Sequence, residues 1–83
     1  MNPSDFEFCF MNDPDFGPFV HFQGKSGFED GTVEDLDNLL EVVGLENLNG
    51  NDYGYDLANW NYASKNELKQ EIEAIGFIYN PNL

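Results

Sequence analysis

The sequence predicts a small α+β domain, spanning residues 1–83, in which two helices cover one face of a single-layer antiparallel sheet. Three observations lead to this prediction. Apolar residues alternate with a period of two near the start of the chain, two later segments repeat them with the period of a helix, and 83 residues are enough for one domain. The expected order is strand, strand, helix, a weaker strand, helix and strand, with about three or four strands in the sheet.

The segment 5–23 predicts a β-hairpin with an acidic tip. Residues 12–18 separate its two alternating runs and contain two prolines, one glycine and three Asn or Asp residues, a composition typical of turns. Either Phe16 or Phe19 is expected to anchor this tip to the core. The residues expected to share one face are Phe6, Phe8 and Phe10 in the first strand, and Val20 and Phe22 in the second, with Phe19 and His21 opposite.

Residues 32–44 predict the first helix. Thr32 is placed to cap its N-terminus, and Gly44 follows the last apolar residue, where glycine commonly ends a helix. No basic residue occurs from position 33 to 43, and like charges one turn apart destabilise a helix by about 0.2–0.5 kcal/mol per pair. Because the uniform negative charge of this helix costs stability, it indicates that the charge serves a function. The apolar face comprises Val33, Leu36, Leu39, Leu40 and Val43, and the polar face Glu34, Asp37, Asn38 and Glu41.

The segment 45–54 is rich in asparagine and glycine, and we expect it to be a polar loop. Tyr53, Tyr55 and Leu57 then alternate, and a change of phase follows them. This pattern predicts the weaker strand, with a bulge or in two short pieces.

A second helix is predicted to begin after Ser64, which forms a capping box with Glu67. Gly76 is expected to end this helix. The segment Phe77–Tyr79 predicts the final strand. The apolar face of the helix comprises Leu68, Ile72 and Ile75.

The charge restricts the partners of this domain. The chain contains sixteen acidic residues, three lysines and no arginine, which gives a formal net charge of −13. Thirteen aromatic residues argue against intrinsic disorder, so the acids belong to a folded surface. Direct binding to nucleic acid or to an anionic membrane is not expected, because both require basic residues. The matching partner is a basic protein surface.

The single cysteine, Cys9, rules out an intrachain disulfide framework and favours a reducing, cytoplasmic environment. The first residues lack the basic and apolar regions of a secretory signal. No apolar run approaches the length of about 18 residues that a membrane span needs. These features predict a cytoplasmic location.

Catalytic and cofactor motifs are incomplete. The triplet Asp15-Phe16-Gly17 matches a kinase magnesium motif, but the other kinase motifs are missing. Gly24-Lys25-Ser26 lacks the first glycine of a phosphate-binding loop, and 47–58 lacks the glycine and glutamate of a calcium loop. One histidine, His21, and one cysteine cannot complete a zinc site without two carboxylates. We expect a buried structural Cys9, no cofactor and no enzymatic activity.

Carboxylates arranged on a helix and a hairpin tip can imitate the phosphates of duplex DNA. Acids one helical turn apart are separated by about 5.4 Å, which is comparable with neighbouring phosphates on one strand. A protein with this surface can occupy the basic groove of a DNA- or RNA-binding protein. The residues predicted to contact such a partner are Asp13, Asp15, Glu29, Asp30, Glu34, Asp35, Asp37 and Glu41.

The string Pro14-Asp15-Phe16-Gly17-x-Phe19, followed by a phenylalanine and a run of acids, resembles the beginning of small acidic anti-CRISPR proteins of the type I-F class. Members of that class resemble DNA to the nuclease-guiding complex and obstruct its recognition of target duplex. The resemblance implies a phage-type DNA mimic, and it implies a contact role for Asp15.

Two alternatives to a DNA-mimic inhibitor of the anti-CRISPR or antirestriction type remain open. An immunity protein or antitoxin that neutralises a basic nuclease would carry the same charge but would bind one toxin very tightly. An acidic accessory domain would carry the charge without any inhibitory role.

Overall fold

The computed structural model describes residues 2–15, 17–24, 32–55 and 64–83. Within these ranges the chain forms one five-stranded sheet and two α-helices, with short 3₁₀ turns at Pro3–Asp5 and Glu41–Val43. The α+β class and the two predicted helices are confirmed. The strands are β1 (Phe6–Asp13), β2 (Gly17–Gly24), β3 (Leu45–Asn49), β4 (Asp52–Tyr55) and β5 (Ile78–Tyr79), and the helices are α1 (Thr32–Leu40) and α2 (Lys65–Ile75).

The N-terminal hairpin is confirmed. β1 and β2 pair antiparallel in continuous register from Phe6 opposite Gly24 to Asp13 opposite Gly17. The strands extend further into the turn-rich segment than the composition suggested. Pro18 lies in β2 just beyond the last residue that pairs with β4, where a missing N–H leaves no ladder bond unmade.

The sheet is mixed, so the expectation of a purely antiparallel sheet was wrong. The strand order is β3-β4-β2-β1-β5, and β5 runs parallel to β1. The reason is α2, which connects β4 to β5. Since β2 is antiparallel to both β1 and β4, strands β4 and β5 point the same way, and parallel strands need a crossover connection of this kind.

The segment 45–54 is a second hairpin, so the prediction of a polar loop there was wrong. β3 pairs antiparallel with β4 around a tight turn, and the register slips between Asn47 and Asn49. Gly50 has φ +60°, a conformation suited to the first central position of a two-residue hairpin turn. Only Leu45 of β3 is buried, and this is why the strand did not show an apolar alternation.

Both helices pack on the same face of the sheet. The predicted phenylalanine face of β1 contributes Phe6 and Phe8 to the core, with Phe10 packed at its margin. Phe19 does not anchor the hairpin tip to this core, because it lies on the opposite face of β2, and Phe16 lies outside the described residues. The buried residues of the two helices and the turn after α1 are Leu36, Leu40, Val43, Leu68 and Ile72.

The helix ends follow local signals. α1 begins at Thr32 itself, so the prediction that Thr32 caps this helix was wrong by one position. Gly44 closes the 3₁₀ turn after α1 with φ +74°. At α2 the Ser64 hydroxyl oxygen accepts a hydrogen bond from the Glu67 amide at 3.3 Å, and Gly76 follows the last turn. In the ranges that the structure describes, no helix is long and apolar enough to cross a membrane.

Candidate partner-binding surface

The hairpin tip presents two of the predicted contact residues in a fixed turn. Asp13 ends β1, and its Oδ1 accepts a hydrogen bond from the backbone amide of Asp15 at 2.8 Å. An aspartate that bonds the amide two residues later stabilises a turn through its own side chain. Both aspartates are exposed. The tip therefore holds two carboxylates at the surface on a defined backbone.

The predicted contacts on the first helix divide into two groups. Glu34 and Asp35 lie within α1, and Glu41, which is exposed, begins the 3₁₀ turn that follows it. Asp37 has a structural role, because its Oδ1 accepts a hydrogen bond from the hydroxyl of the buried Tyr53 at 2.7 Å. This bond joins α1 to β4. Glu29 and Asp30 lie outside the described residues.

The described acids occupy two sides of the sheet. α1 covers the core face, where Asp37 reaches Tyr53. Asp13 lies on the other face, which the described helices leave uncovered, together with Phe19 and Asp52. A partner that contacts both groups must therefore reach around an edge of the sheet.

The described lysines, Lys65 and Lys69, lie on α2. Lys69 forms an ion pair with Glu73 at 2.9 Å and lies over the ring of Tyr79, with 4.6 Å between its Nζ and the ring centroid. Lys65 lies over the ring of Phe10 at 5.5 Å. Both cations are thus engaged by their own helix and the sheet beside it. The hairpin tip and α1, by contrast, contain no lysine.

A row of three chemically active residues crosses the uncovered face. Cys9 of β1 is opposite His21 of β2, and His21 is opposite Asp52 of β4. The Nδ1 of His21 and the Oδ1 of Asp52 are 2.7 Å apart. The backbone of Phe22 bonds towards β4, so His21 and Asp52 form a non-hydrogen-bonded pair, in which side chains approach most closely.

This row has the residue types of a nucleophilic triad but not its chemistry. Cys9 is 3% exposed, so a substrate cannot reach it. Burial raises the pKa of the Cys9 thiol, and the negative charge of Asp52 raises it further. A reactive cysteine needs the opposite shift. The prediction that Cys9 is buried is confirmed, and the described residues contain no group of three or more potential metal ligands.

The sequence reasoning missed Asp52, Leu48 and Asn49 as surface residues near the tip. They line one shallow pocket with Asp13 and Phe19. Gly50-Asn51 was the available signal, because a two-residue Gly-Asn connection between two runs is typical of a tight hairpin turn. Such a turn places Asn49 opposite Asp52.

No protein-family model, curated protein or solved structure matches the chain. The resemblance of the segment around Asp15 to anti-CRISPR proteins therefore stays a prediction.

Proposed function

We propose that this protein is a small acidic inhibitor that binds the basic nucleic-acid-binding surface of a host defence or DNA-processing protein and excludes DNA from it. The observation that carries the proposal is the excess of acids on a folded domain. Three lysines and one histidine can pair one-to-one with at most four of sixteen acids. Carboxylates therefore exceed the cationic side chains of the protein by at least twelve.

The fold supports a specific mode of binding. Asp13 and Asp15 lie on a turn fixed by their own hydrogen bond, and Glu41 follows the end of α1 directly. Carboxylates held on rigid elements lose little conformational freedom on binding, and this favours affinity. Complementary charge also accelerates association and suppresses partners of the wrong sign.

Competition with duplex DNA tests the proposal. Fluorescence anisotropy would follow labelled duplex bound to a type I-F CRISPR surveillance complex, a restriction enzyme and a basic nuclease while the acidic protein is added. We expect the acidic protein to release the duplex from one of them. This inhibition should weaken steeply as the salt concentration is raised. If none releases DNA at low salt, the proposal is wrong. Inhibition of the nuclease alone that persists at high salt would instead support an immunity protein.

Matched variants locate the contact. Glu34→Gln/Glu41→Gln removes two charges from the α1 region, and Glu67→Gln/Glu71→Gln removes two from α2. Gln at position 67 can still complete a capping box. The first pair should weaken inhibition by roughly tenfold or more, and the second should change it little. Equal effects of the two pairs would refute a contact that includes the α1 region.

A further inference from the structure

The sheet face that the described helices leave uncovered contains a pocket between the two hairpins. It has a volume of about 210 Å³ and is lined by Asp13, Phe19, Leu48, Asn49 and Asp52, and we call it the tip pocket. Leu48 and Asn49 are consecutive, yet both line it. The register slip between Asn47 and Asn49 explains this, since successive side chains of a regular strand point to opposite faces.

The lining of the tip pocket has a definite chemistry. Two carboxylates, Asp13 and Asp52, supply negative charge, and Phe19 supplies an aromatic ring between them in the sheet order. Leu48, which is 41% exposed, adds an apolar contact, and Asn49 adds an amide. A planar cation satisfies all of these groups, because it can stack on the ring while its N–H groups reach carboxylates.

The carboxylate of Asp52 is held in place before any ligand binds. Its Oδ1 lies 2.7 Å from Nδ1 of His21, and the pair is partly buried. Asp13 is likewise oriented by the amide of Asp15. Oriented carboxylates lower the entropy that a ligand must offset.

The size of the tip pocket indicates a single side chain. Pockets for small molecules and cofactors commonly measure about 300–1,000 Å³, which is larger than this one. An anion is disfavoured, because the two carboxylates of the pocket would repel it. A compact ammonium would satisfy the charge but would not use the flat ring as a stacking surface as fully as a guanidinium does.

The geometry points to the tip pocket as a receptor for an arginine side chain of the basic partner, with the guanidinium stacked on Phe19 and bonded to Asp13 and Asp52. The identity of the partner rests on the proposed function, whereas binding of the guanidinium rests on the pocket itself. The hairpin tip then contributes one specific anchor to an interface that is otherwise governed by charge.

Titration with a small probe tests the pocket without any partner. N-acetyl-arginine amide would be added to the ¹⁵N-labelled protein and followed by two-dimensional NMR, with N-acetyl-citrulline amide as the neutral control of the same shape. We expect saturable shifts of the amide signals of Phe19, Leu48, Asn49 and Asp52 with arginine only. Equal shifts with citrulline, or shifts spread over α2 and the tip alike, would overturn the inference.

Variants sharpen this test. Asp52→Asn keeps the shape of the side chain and its capacity to bond His21, and it should weaken arginine binding by about tenfold or more. Phe19→Leu should also weaken it, while Glu71→Gln, which removes a charge from α2, should leave it unchanged. Unaltered binding in both pocket variants would refute the assignment. The same spectra report whether each variant is folded.

The two proposals fail separately. Loss of DNA competition with intact arginine binding would refute the inhibitory function and leave the pocket standing. Intact DNA competition without arginine binding would refute the arginine pocket and leave the inhibitory function standing.

Discussion

At the scale of single residues, the hydroxyl of Tyr53 and the carboxylate of Asp37 show how an acid of the predicted surface can also serve the fold. The sequence pattern places Asp37 on the polar face of a helix, and this is confirmed by its exposure. The pattern could not foresee the bond to Tyr53, because that tyrosine comes sixteen positions later on a strand. Helix periodicity describes one element, whereas this bond depends on the packing of two.

Tyr53→Phe should lower the free energy of unfolding by roughly 1–2 kcal/mol, because it leaves Asp37 without its hydroxyl donor. Urea unfolding followed by circular dichroism would measure the change. Tyr79→Phe is the matched control, since the hydroxyl of Tyr79 has no hydrogen-bond partner among the described residues. An equal loss in the two variants would contradict the role given to the Asp37 bond.

The same tyrosine predicts a dependence on alkaline pH. Burial raises the pKa of Tyr53 above its ordinary value, and the hydrogen bond to Asp37 raises it further. The unfolded chain therefore releases this proton first, near pH 10. The stability contributed by Tyr53 should be complete below about pH 10 and should decline above it. The difference in unfolding free energy between the wild type and Tyr53→Phe should shrink over that range, and a constant difference would contradict the prediction.

Cys9 predicts a protected thiol. Because burial raises its pKa and removes it from solvent, alkylation by iodoacetamide near neutral pH should be slow in the folded protein and fast in urea. Mass spectrometry of quenched samples would measure both rates. Equal rates in the two conditions would show that the thiol is accessible and reactive in the native state.

At the scale of elements, the sequence was most informative where a local signal defines the structure. The capping residue Ser64, the alternating phenylalanines of β1 and Gly44 act through their immediate neighbours, and each was predicted correctly. β3 was missed because it is an edge strand with one buried residue. Its identity comes from pairing with β4, and residues outside β3 decide that pairing.

Ser64→Ala should lower the unfolding free energy by about 1 kcal/mol, because the amide of Glu67 loses the hydroxyl oxygen that caps it. Chemical denaturation would measure this loss. Gln70→Ala, at an exposed position inside α2, is the control and should be neutral or slightly stabilising. A loss in the control as large as that of Ser64→Ala would argue that α2 depends on general polarity and not on its cap.

At the scale of the whole molecule, a net charge of −13 is confined to a small surface. The radius of gyration is 11.8 Å, and a compact domain of this length is expected to have about 12 Å. The composition alone predicted both the charge and a folded chain. It could not predict that the acids divide between the helix side and the uncovered face, because the sheet order determines this division.

Added salt should therefore raise the melting temperature. Between about 0.01 M and about 1 M NaCl the Debye length falls from about 30 Å to about 3 Å, which screens repulsion among the acids. Each kcal/mol gained corresponds to roughly 4–8 °C for a domain of this size. Thermal melts by circular dichroism would measure the rise, and Glu67→Gln/Glu71→Gln should rise less. A flat response would mean that the acids are already well separated or paired.

The pairing of β5 with β1 also affects how the protein is made. Glu7 lies opposite Ile78, 71 positions later in the chain, and Phe8 packs against Tyr79 with ring centroids 5.4 Å apart. A ribosome-bound chain that has reached only α2 can form the first hairpin, which is local, but its β1 has no neighbour on one side. During that interval the exposed edge of β1, with its aromatic residues, is available to other nascent chains. The high negative charge of the whole chain then keeps those chains apart by mutual repulsion.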